Sequence, residues 1–239
     1  MTIKMINQKD KLDKILIKSI EPTFSFNNET INRFNIIGVS NENNKIKKEE
    51  FLEKLKTKIN SIENCNLQNN SKTLVLGDGN VNSPIMIVGE APGQEEERSA
   101  KVFEGEVGKL LDKMLAAIEI KRKLIYCSYS VNFRPPEDRK PTSLEIKRYS
   151  SFLKEHISII NPKIIILMGS SAMESITGVK GKISSERGKW KEVILKNITY
   201  PVITSFSPSY LIRFPENKKF SWEDLKKIKQ KIEDLGIKI

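Results

Sequence analysis

Five short runs after residue 72 are apolar at nearly every position, and they constrain the fold more than any other feature. They read TLVLG (73–77), IMIVG (85–89), LIYCSYSV (124–131), KIIILMG (163–169) and YPVITSF (200–206). Strands that are buried on both faces of a parallel sheet lack the polar–apolar alternation of a half-exposed sheet. The runs therefore predict a buried, mainly parallel sheet.

Helical patterns separate these runs. Within 107–120, six apolar residues recur on one helix face, namely Val107, Leu110, Leu111, Met114, Leu115 and Ile118. We also expect helices at 143–160, with Thr142 or Ser143 as the N-cap, at 170–177 and at 221–235. Strands that alternate with helices predict an α/β fold, a three-layer α/β/α sandwich.

Residues 1–61 differ from the rest of the chain in composition and in apolar pattern. Two helix-compatible segments, 8–19 and 47–62, flank an Asn-rich stretch at 24–45 that has no clear period. This region is interpreted as a mostly helical accessory or linker region, and 62–239 as the main domain. The first residues lack an apolar signal core, and no run reaches the length of a membrane span. We therefore expect a cytoplasmic protein.

Charge and cysteine content narrow the classes of partner and site. A formal net charge of +11 and a pI near 9.5 suit a polyanion such as nucleic acid. Most of the basic residues are Lys, and Ile and Asn are abundant, so an AT-rich genome explains part of the basicity equally well. Cys65 and Cys127 form no CxxC pair, which leaves no pattern for a disulfide scaffold or a zinc site.

The Glu-rich loop after the second run is the first candidate site. In parallel sheets, ligands bind at the carboxyl ends of the strands. In VGEAPGQEEE (88–97), Glu90 lies between strand and turn and is expected to point into the cleft. Glu95 and Glu97 instead suit a helix start, where the helix dipole favours carboxylates.

Two proline-rich loops follow later strands. NFRPPEDRKP (132–141) is either a rigid basic clamp for phosphates or a solvated crossover. SPSYLIRFP (207–215) either displays Leu211, Ile212 and Arg213 as a wedge for a DNA groove or is anchored by a buried Leu and Ile. The single histidine, His156, lies in a helical segment and suits packing better than catalysis.

These loops belong to an ordered set of motifs that resembles family 4, the iron–sulfur type, of the uracil-DNA glycosylase superfamily. The set spans about residues 62–230 and reads LVLGDGN (74–80), IMIVGEAPGQEEE (85–97), Phe103 with Gly105 and Gly108, LLDKML (110–115), RPPEDR-x-P (134–141), NPKIIILMG (161–169), RGKW (187–190) and SPSYLIR (207–213). Each motif is weak alone, but the collinear set is specific. The resemblance implies a four-stranded, mainly parallel sheet and an enzyme that flips a damaged base out of DNA and cuts its N-glycosidic bond.

Carried over position by position, the resemblance implies roles for twelve residues. Glu90 and Glu96 are the catalytic carboxylates, since a carboxylate orients water and stabilises a cationic sugar. The expected base-binding residues are Gly89, Ala91, Phe103 as the stacking aromatic, Tyr129 and Ser207. The expected DNA-binding residues are Arg134, Asp138, Ser209, Leu211 and Arg213. The expected partner is damaged DNA, single- or double-stranded, acted on by a monomer at a bacterial-type nucleoid, with no membrane contact.

The sequence also departs from the family. Its four cluster cysteines fall at Ile62, Cys65, Phe133 and Tyr149, so one ligand of four remains. We expect no 4Fe–4S cluster, no other metal and no cofactor, with packing in place of the cluster.

The base pocket departs as well. The family's base-reading Asn is Tyr129, the Asn of its R-P-P loop is Asp138, and the His of its H-P-S motif is Ser207. Tyr129 either blocks the pocket, or excludes or stacks on a different base, and a site that loses hydrogen-bond partners loses discrimination. The leading hypothesis is a divergent base-excision-repair glycosylase acting on uracil or a related base. The alternative is a catalytically silent DNA- or partner-binding module.

Overall fold

The computed structural model describes residues 33–63, 66–71 and 73–238, with side chains from residue 44 onward. The helix expected at 8–19 and Cys65 lie outside these residues. The chain divides into units Met1–Ser40 and Asn41–Ile239, and the packing below belongs to the second.

The described residues form a six-stranded sheet with helices on both faces. The strands are β1 (Gly77–Gly79), β2 (Ile85–Gly89), β3 (Tyr126–Tyr129), β4 (Ile164–Met168), β5 (Trp190–Leu195) and β6 (Ile198–Ser205). Their order is β1-β3-β2-β4-β6-β5. The four central strands are parallel, as the apolar runs predict, while β1 and β5 are antiparallel edges. The sheet is therefore larger than the four strands expected.

The helices expected at 107–120, 143–160, 170–177 and 221–235 lie close to those positions, whereas the helix expected at 47–62 begins at Arg33 and three short helices were not predicted. They are α1 (Arg33–Asn60), α2 (Asn66–Asn70), α3 (Gln94–Ser99), α4 (Gly105–Ala116), α5 (Ser143–Ile160), α6 (Ser170–Thr177), α7 (Ile183–Glu186), α8 (Pro208–Arg213) and α9 (Lys218–Asp234). Short 3₁₀ turns lie at Arg122–Leu124, Pro136–Asp138 and Pro215–Asn217. Thr142 caps α5 by accepting the Glu145 N–H, and the Glu145 side chain accepts the Thr142 N–H in return. This reciprocal box fixes where α5 begins.

The two edge strands, β1 and β5, differ from what the sequence predicts. The run 73–77 contributes only its last residue to a strand, and β1 continues to Gly79. Strand β5 was not predicted, and only its first residue, Trp190, belongs to one of the sequence motifs, RGKW (187–190). It is half exposed, and it joins β6 through Lys196 and Asn197, which both have positive φ, as a type I′ hairpin turn requires.

Each face of the sheet carries its own core. Ile85, Ile87 and their neighbours pack with α4 and α9, while Met86 and Val88 pack with α5 and α6. On the second face, buried His156 is bonded through Nε2 to the Tyr126 hydroxyl at 2.9 Å. Burial lowers the pKa of His156 to about 3, so the ring is neutral. His156 is therefore a packing residue, as the sequence favoured.

The end of α1 packs into the main unit. Leu55 and Ile59 are buried against Phe133 and Tyr149. The compact unit begins at Asn41, whereas the sequence reading placed the domain boundary after residue 61. None of the helices in the described ranges combines the length and apolar content that crossing a bilayer needs.

Candidate active site

A cavity of about 520 Å³ lies at the carboxyl ends of the parallel strands. Its wall consists of the loop after β2, Phe103 with the start of α4, Tyr129 at the end of β3, the 138–141 loop and α8 with its cap. Nine of the twelve candidate residues line it, namely Glu90, Ala91, Glu96, Phe103, Tyr129, Asp138, Ser207, Ser209 and Arg213. Gly89, Arg134 and Leu211 do not. The topology thus brings most of the sequence-predicted site together.

Glu90 is held at the amino end of α6. Its Oε1 accepts hydrogen bonds from the Ser170 hydroxyl at 3.2 Å and from the Ser171 N–H at 3.1 Å. Gly169 has φ +108, and a Cβ there would lie 2.3 Å from the Glu90 side chain. Only glycine leaves room for the carboxylate at this point. The contact of Ser170 and Ser171 with Glu90 was not predicted from the sequence.

Glu96 has a different environment. It is 5% exposed, its Oε2 accepts the Gly93 N–H at 2.9 Å, and its Oε1 accepts the Glu104 N–H at 3.1 Å and the Tyr129 hydroxyl at 3.3 Å. Because protein donors occupy both oxygens, Glu96 holds the loop in shape. This arrangement favours a positioning role for Glu96 over the expected catalytic one.

Glu95 and Glu97, the other two glutamates of the loop, differ in their partners. Glu95 pairs with Arg98 on the exposed start of α3, as a helix-start residue should. Glu97 accepts from the Ser71 hydroxyl at 2.6 Å and from Arg134 at 3.1 Å. The Ser71 hydrogen bond, with a smaller contribution from Arg134, lowers the pKa of Glu97.

Tyr129 and Phe103 close the back of the cavity. Their ring centroids are 5.1 Å apart, and they are 3% and 4% exposed. The Tyr129 hydroxyl accepts the Phe103 N–H at 2.9 Å. A Cβ on Gly89 would lie 2.7 Å from both rings, so Gly89 supports the pair from behind rather than touching a ligand. Tyr129 therefore lines the pocket and covers part of the aromatic surface beside it.

The backbone at Phe103 is strained and locally braced. Phe103 has φ +54, a left-handed conformation that is uncommon for a bulky residue. The Tyr129 hydroxyl fixes its N–H, and Arg122 donates to the carbonyl oxygens of Val102 and Phe103. Burial raises the pKa of Tyr129, so the phenol keeps its proton and serves as a donor to Glu96.

The basic loop after β3 is already engaged in ion pairs. Arg134 binds both oxygens of Asp138, at 2.7 and 3.1 Å, and these hydrogen bonds raise the pKa of Arg134. Arg139 binds both oxygens of Glu145. The loop is therefore a braced wall, and a phosphate has to compete with Asp138 for Arg134.

The expected wedge is a short helix, α8, capped by Ser207, whose Oγ accepts the Tyr210 N–H at 3.3 Å. Leu211 is 1% exposed and belongs to the core, so the expectation that it probes DNA is wrong for this conformation. It faces inward because α8 packs on α4. Ile212 and Arg213 lie at the cavity rim instead.

A buried ion pair supports the strand that leads into α8. Arg187 binds Asp224, which is 0% exposed, at 2.6 and 3.0 Å, and the Ser205 hydroxyl donates to Asp224 at 2.8 Å. Burial raises the pKa of Asp224, while Ser205 and Arg187 oppose that rise. The RGKW motif contains Arg187, but the sequence did not show which carboxylate it meets.

The described cluster positions do not fit an iron–sulfur cluster. Phe133 and Tyr149 are buried, with ring centroids 6.4 Å apart, and Ile62 packs against the same group. Such clusters need thiolate ligands, which these three side chains cannot supply. The Cys127 thiol lies inside a strand, and burial raises its pKa to about 12. Within the described ranges, no group of three or more His, Cys, Asp or Glu is placed to hold a metal ion.

The fold and the cavity define an α/β/α protein with a carboxylate- and aromatic-lined pocket at the ends of its parallel strands. The family model "Uracil DNA glycosylase superfamily" matches residues 76–228, and the chain belongs to this superfamily.

Several similar proteins share one description, "Type-4 uracil-DNA glycosylase". The protein of Thermotoga maritima is 34% identical over 79% of this chain and 98% of its own length. That of Sulfurisphaera tokodaii is 34% identical over 76% of this chain and 84% of its own length. That of Archaeoglobus fulgidus is 32% identical over 75% of this chain and 92% of its own length. The resemblance read from the motifs is thereby confirmed.

Proposed function

We propose that this protein is a DNA glycosylase of base-excision repair that hydrolyses the N-glycosidic bond of uracil or a related base flipped out of DNA. The observation that carries the proposal is the placement of Glu90. Its carboxylate lies in the wall of the 520 Å³ cavity and is fixed by Ser170 and Ser171. A fixed carboxylate in a pocket of this size suits a reaction at a flipped nucleotide.

The reaction proposed for Glu90 balances in atoms and electrons without a cofactor. The C1′–N bond breaks, and its electron pair leaves with the base, so the sugar becomes cationic. Water adds to C1′, and Glu90 accepts the proton that the water loses. Glu90 also stabilises the cationic sugar electrostatically, which in a partly buried site is worth more than in water.

The remaining wall supports binding of the base and of the strand. Phe103 and Tyr129 supply an aromatic back wall, and Ser207 supplies one hydroxyl near the departing base. Ile212 replaces Leu211 as the apolar probe, and Arg213 lies beside it at the rim. The net charge of +11 favours DNA as the partner.

An excision panel tests the function. Single- and double-stranded oligonucleotides that contain uracil, hypoxanthine or xanthine are incubated with excess folded protein. We expect an abasic product from at least one of them, and its loss in Glu90→Gln. The absence of product from every substrate overturns the enzymatic proposal.

A catalytically silent binding module is the second candidate, and the closed aromatic wall favours it. Phe103 is only 4% exposed because Tyr129 packs against it, so little of its ring is open to a base. For a silent module, DNA affinity is the same with and without a lesion, and Glu90→Gln leaves it unchanged. Lesion-dependent turnover that is lost in Glu90→Gln excludes this candidate.

We also propose that aromatic packing has replaced the iron–sulfur cluster. Phe133 and Tyr149 fill two of the four ligand positions with buried rings. Anaerobically purified protein should then contain no iron and show no visible absorbance. A stoichiometric cluster contradicts this proposal.

A further inference from the structure

A chain of hydrogen bonds connects the loop after β3 to Glu90. The Lys140 ammonium donates to the Ser170 hydroxyl at 3.2 Å, and this hydroxyl donates to Glu90 Oε1 at 3.2 Å. An ammonium only donates and a carboxylate only accepts, so the single Ser170 hydrogen has one possible direction. The chain therefore runs from cation through hydroxyl to anion, an order in which each bond strengthens the next.

The backbone at Lys140 is braced by its neighbours. Arg139, held by both oxygens of Glu145, also donates to the Lys140 carbonyl oxygen at 3.0 Å. Pro141 is buried directly after it, and Thr142 caps α5. This support fixes the starting point of the Lys140 side chain, so its reach across to α6 is a property of the fold.

Lys140 differs from the other basic residues that line the cavity. Arg139 is ion-paired with Glu145, and Arg213 donates through Nε to the Ser209 carbonyl oxygen at 3.4 Å. Within the described lining of the cavity, Lys140 is the cation that reaches Glu90 through a single side chain.

We propose that Lys140 and Ser170 are positioning residues for Glu90. Ser170 holds one carboxylate oxygen toward α6, and the Lys140 charge orders the Ser170 hydroxyl, so that Glu90 keeps one orientation toward the reacting sugar and water. The proposal rests on the glycosylase activity proposed above. It also makes the loop that precedes α5 part of the catalytic arrangement, although neither Lys140 nor Ser170 touches the reacting atoms.

Single-turnover excision tests the pair. Ser170→Ala and Lys140→Met should each lower the rate at saturating protein by about 10- to 100-fold, because a small misplacement of a reacting group is costly. The protein concentration at half-maximal rate should change less than about threefold, since positioning acts on the chemical step. Ser170→Thr keeps the hydroxyl and should restore most of the rate. Ser151→Ala and Lys147→Met, on the exposed surface of α5, are the matched controls.

The double variant separates positioning from a direct phosphate contact. If Lys140 acts through Ser170, combining Lys140→Met with Ser170→Ala costs no more than the worse single change. If Lys140 instead binds a DNA phosphate, the two effects multiply, and Lys140→Met weakens DNA binding and its salt dependence. That second pattern overturns the proposal.

A measurement without DNA keeps this proposal separate from the glycosylase proposal. The Ser171 amide donates to Glu90 Oε1, so its ¹⁵N–¹H resonance reports the position of the carboxylate. Lys140→Met should shift this resonance in the same direction as Ser170→Ala, because the Lys140 ammonium acts on Glu90 through the Ser170 hydroxyl. An unchanged Ser171 resonance in well-dispersed spectra overturns the positioning claim, whether or not the wild type excises a base.

Discussion

Removing one hydroxyl should measure how firmly the back wall of the cavity is held. In Tyr129→Phe the ring stays, but the Phe103 N–H loses its acceptor at 2.9 Å and Glu96 loses one of three donors. A buried donor without a partner costs about 1–3 kcal/mol, because it gives up water without compensation. Glu96 keeps the Gly93 and Glu104 amides, so its share is small. We expect a loss of about 2 kcal/mol in the free energy of unfolding.

Urea unfolding followed by circular dichroism measures this loss at constant m value. For a chain of this length, about 2 kcal/mol corresponds to a fall of roughly 4–8 °C in Tm. Tyr200→Phe is the matched control, since its hydroxyl makes one hydrogen bond, to Asn161 at 3.2 Å, outside the cavity. If Tyr129→Phe costs no more than Tyr200→Phe, the hydroxyl does not brace Phe103 and this reasoning fails.

Three further predictions concern the core. His156 is neutral in the fold with a pKa near 3, so stability should fall as the pH drops below its unfolded pKa of about 6.5, by about 3 kcal/mol at pH 4.5. Urea unfolding of His156→Gln should lack this part of the acid loss, and an equal loss in both proteins contradicts it. Asp224→Asn breaks the buried pair with Arg187 and should cost about 3–5 kcal/mol in thermal unfolding, whereas a cost below about 1 kcal/mol shows a solvent-screened pair. Leu211→Ala should lower the free energy of unfolding by about 2–5 kcal/mol, because Leu211 is buried. Ile212→Ala should leave stability nearly unchanged and weaken DNA binding in a titration. The reverse pattern would show that Leu211, and not Ile212, is the side chain that contacts DNA.

Much of the fold follows from local sequence signals. A strand buried on both faces of a parallel sheet is an unbroken apolar run in the sequence. The strands at 85–89 and 163–169 were therefore predicted to within one residue. The helix at 143–160 was predictable from its apolar period and the Thr142 cap. The edge strand Trp190–Leu195 was missed because it is half exposed and contains Lys191 and Glu192, so it is not an unbroken apolar run, although the Lys-Asn turn after it carries a hairpin signal.

Most residues that line the site were predictable from the sequence, but the contacts between them were not. Loops at the carboxyl ends of parallel strands line the ligand cleft, which predicted that Glu90 points into it. The family resemblance implied that Phe103 and Tyr129 lie beside it. Which carboxylate has both oxygens occupied by protein donors is a tertiary property: Glu96 accepts the amides of Gly93 and Glu104, and Glu104 lies eight residues away in sequence. The burial of Leu211 is likewise set by the packing of α8 on α4. Such contacts leave no periodicity in the chain, and they are visible only once the elements are assembled.

The most direct test of the account is the rate of abasic-site formation under single-turnover conditions, compared between the wild type and Glu90→Gln. Gln keeps the size of the side chain but cannot accept a proton from water. Glu50→Gln, on the exposed surface of α1, is the control. We predict a rate at least about 100-fold lower for Glu90→Gln, with DNA affinity and Tm unchanged and the control at the wild-type rate. An equal rate for Glu90→Gln contradicts the central claim that the carboxylate held by Ser170 and Ser171 drives excision.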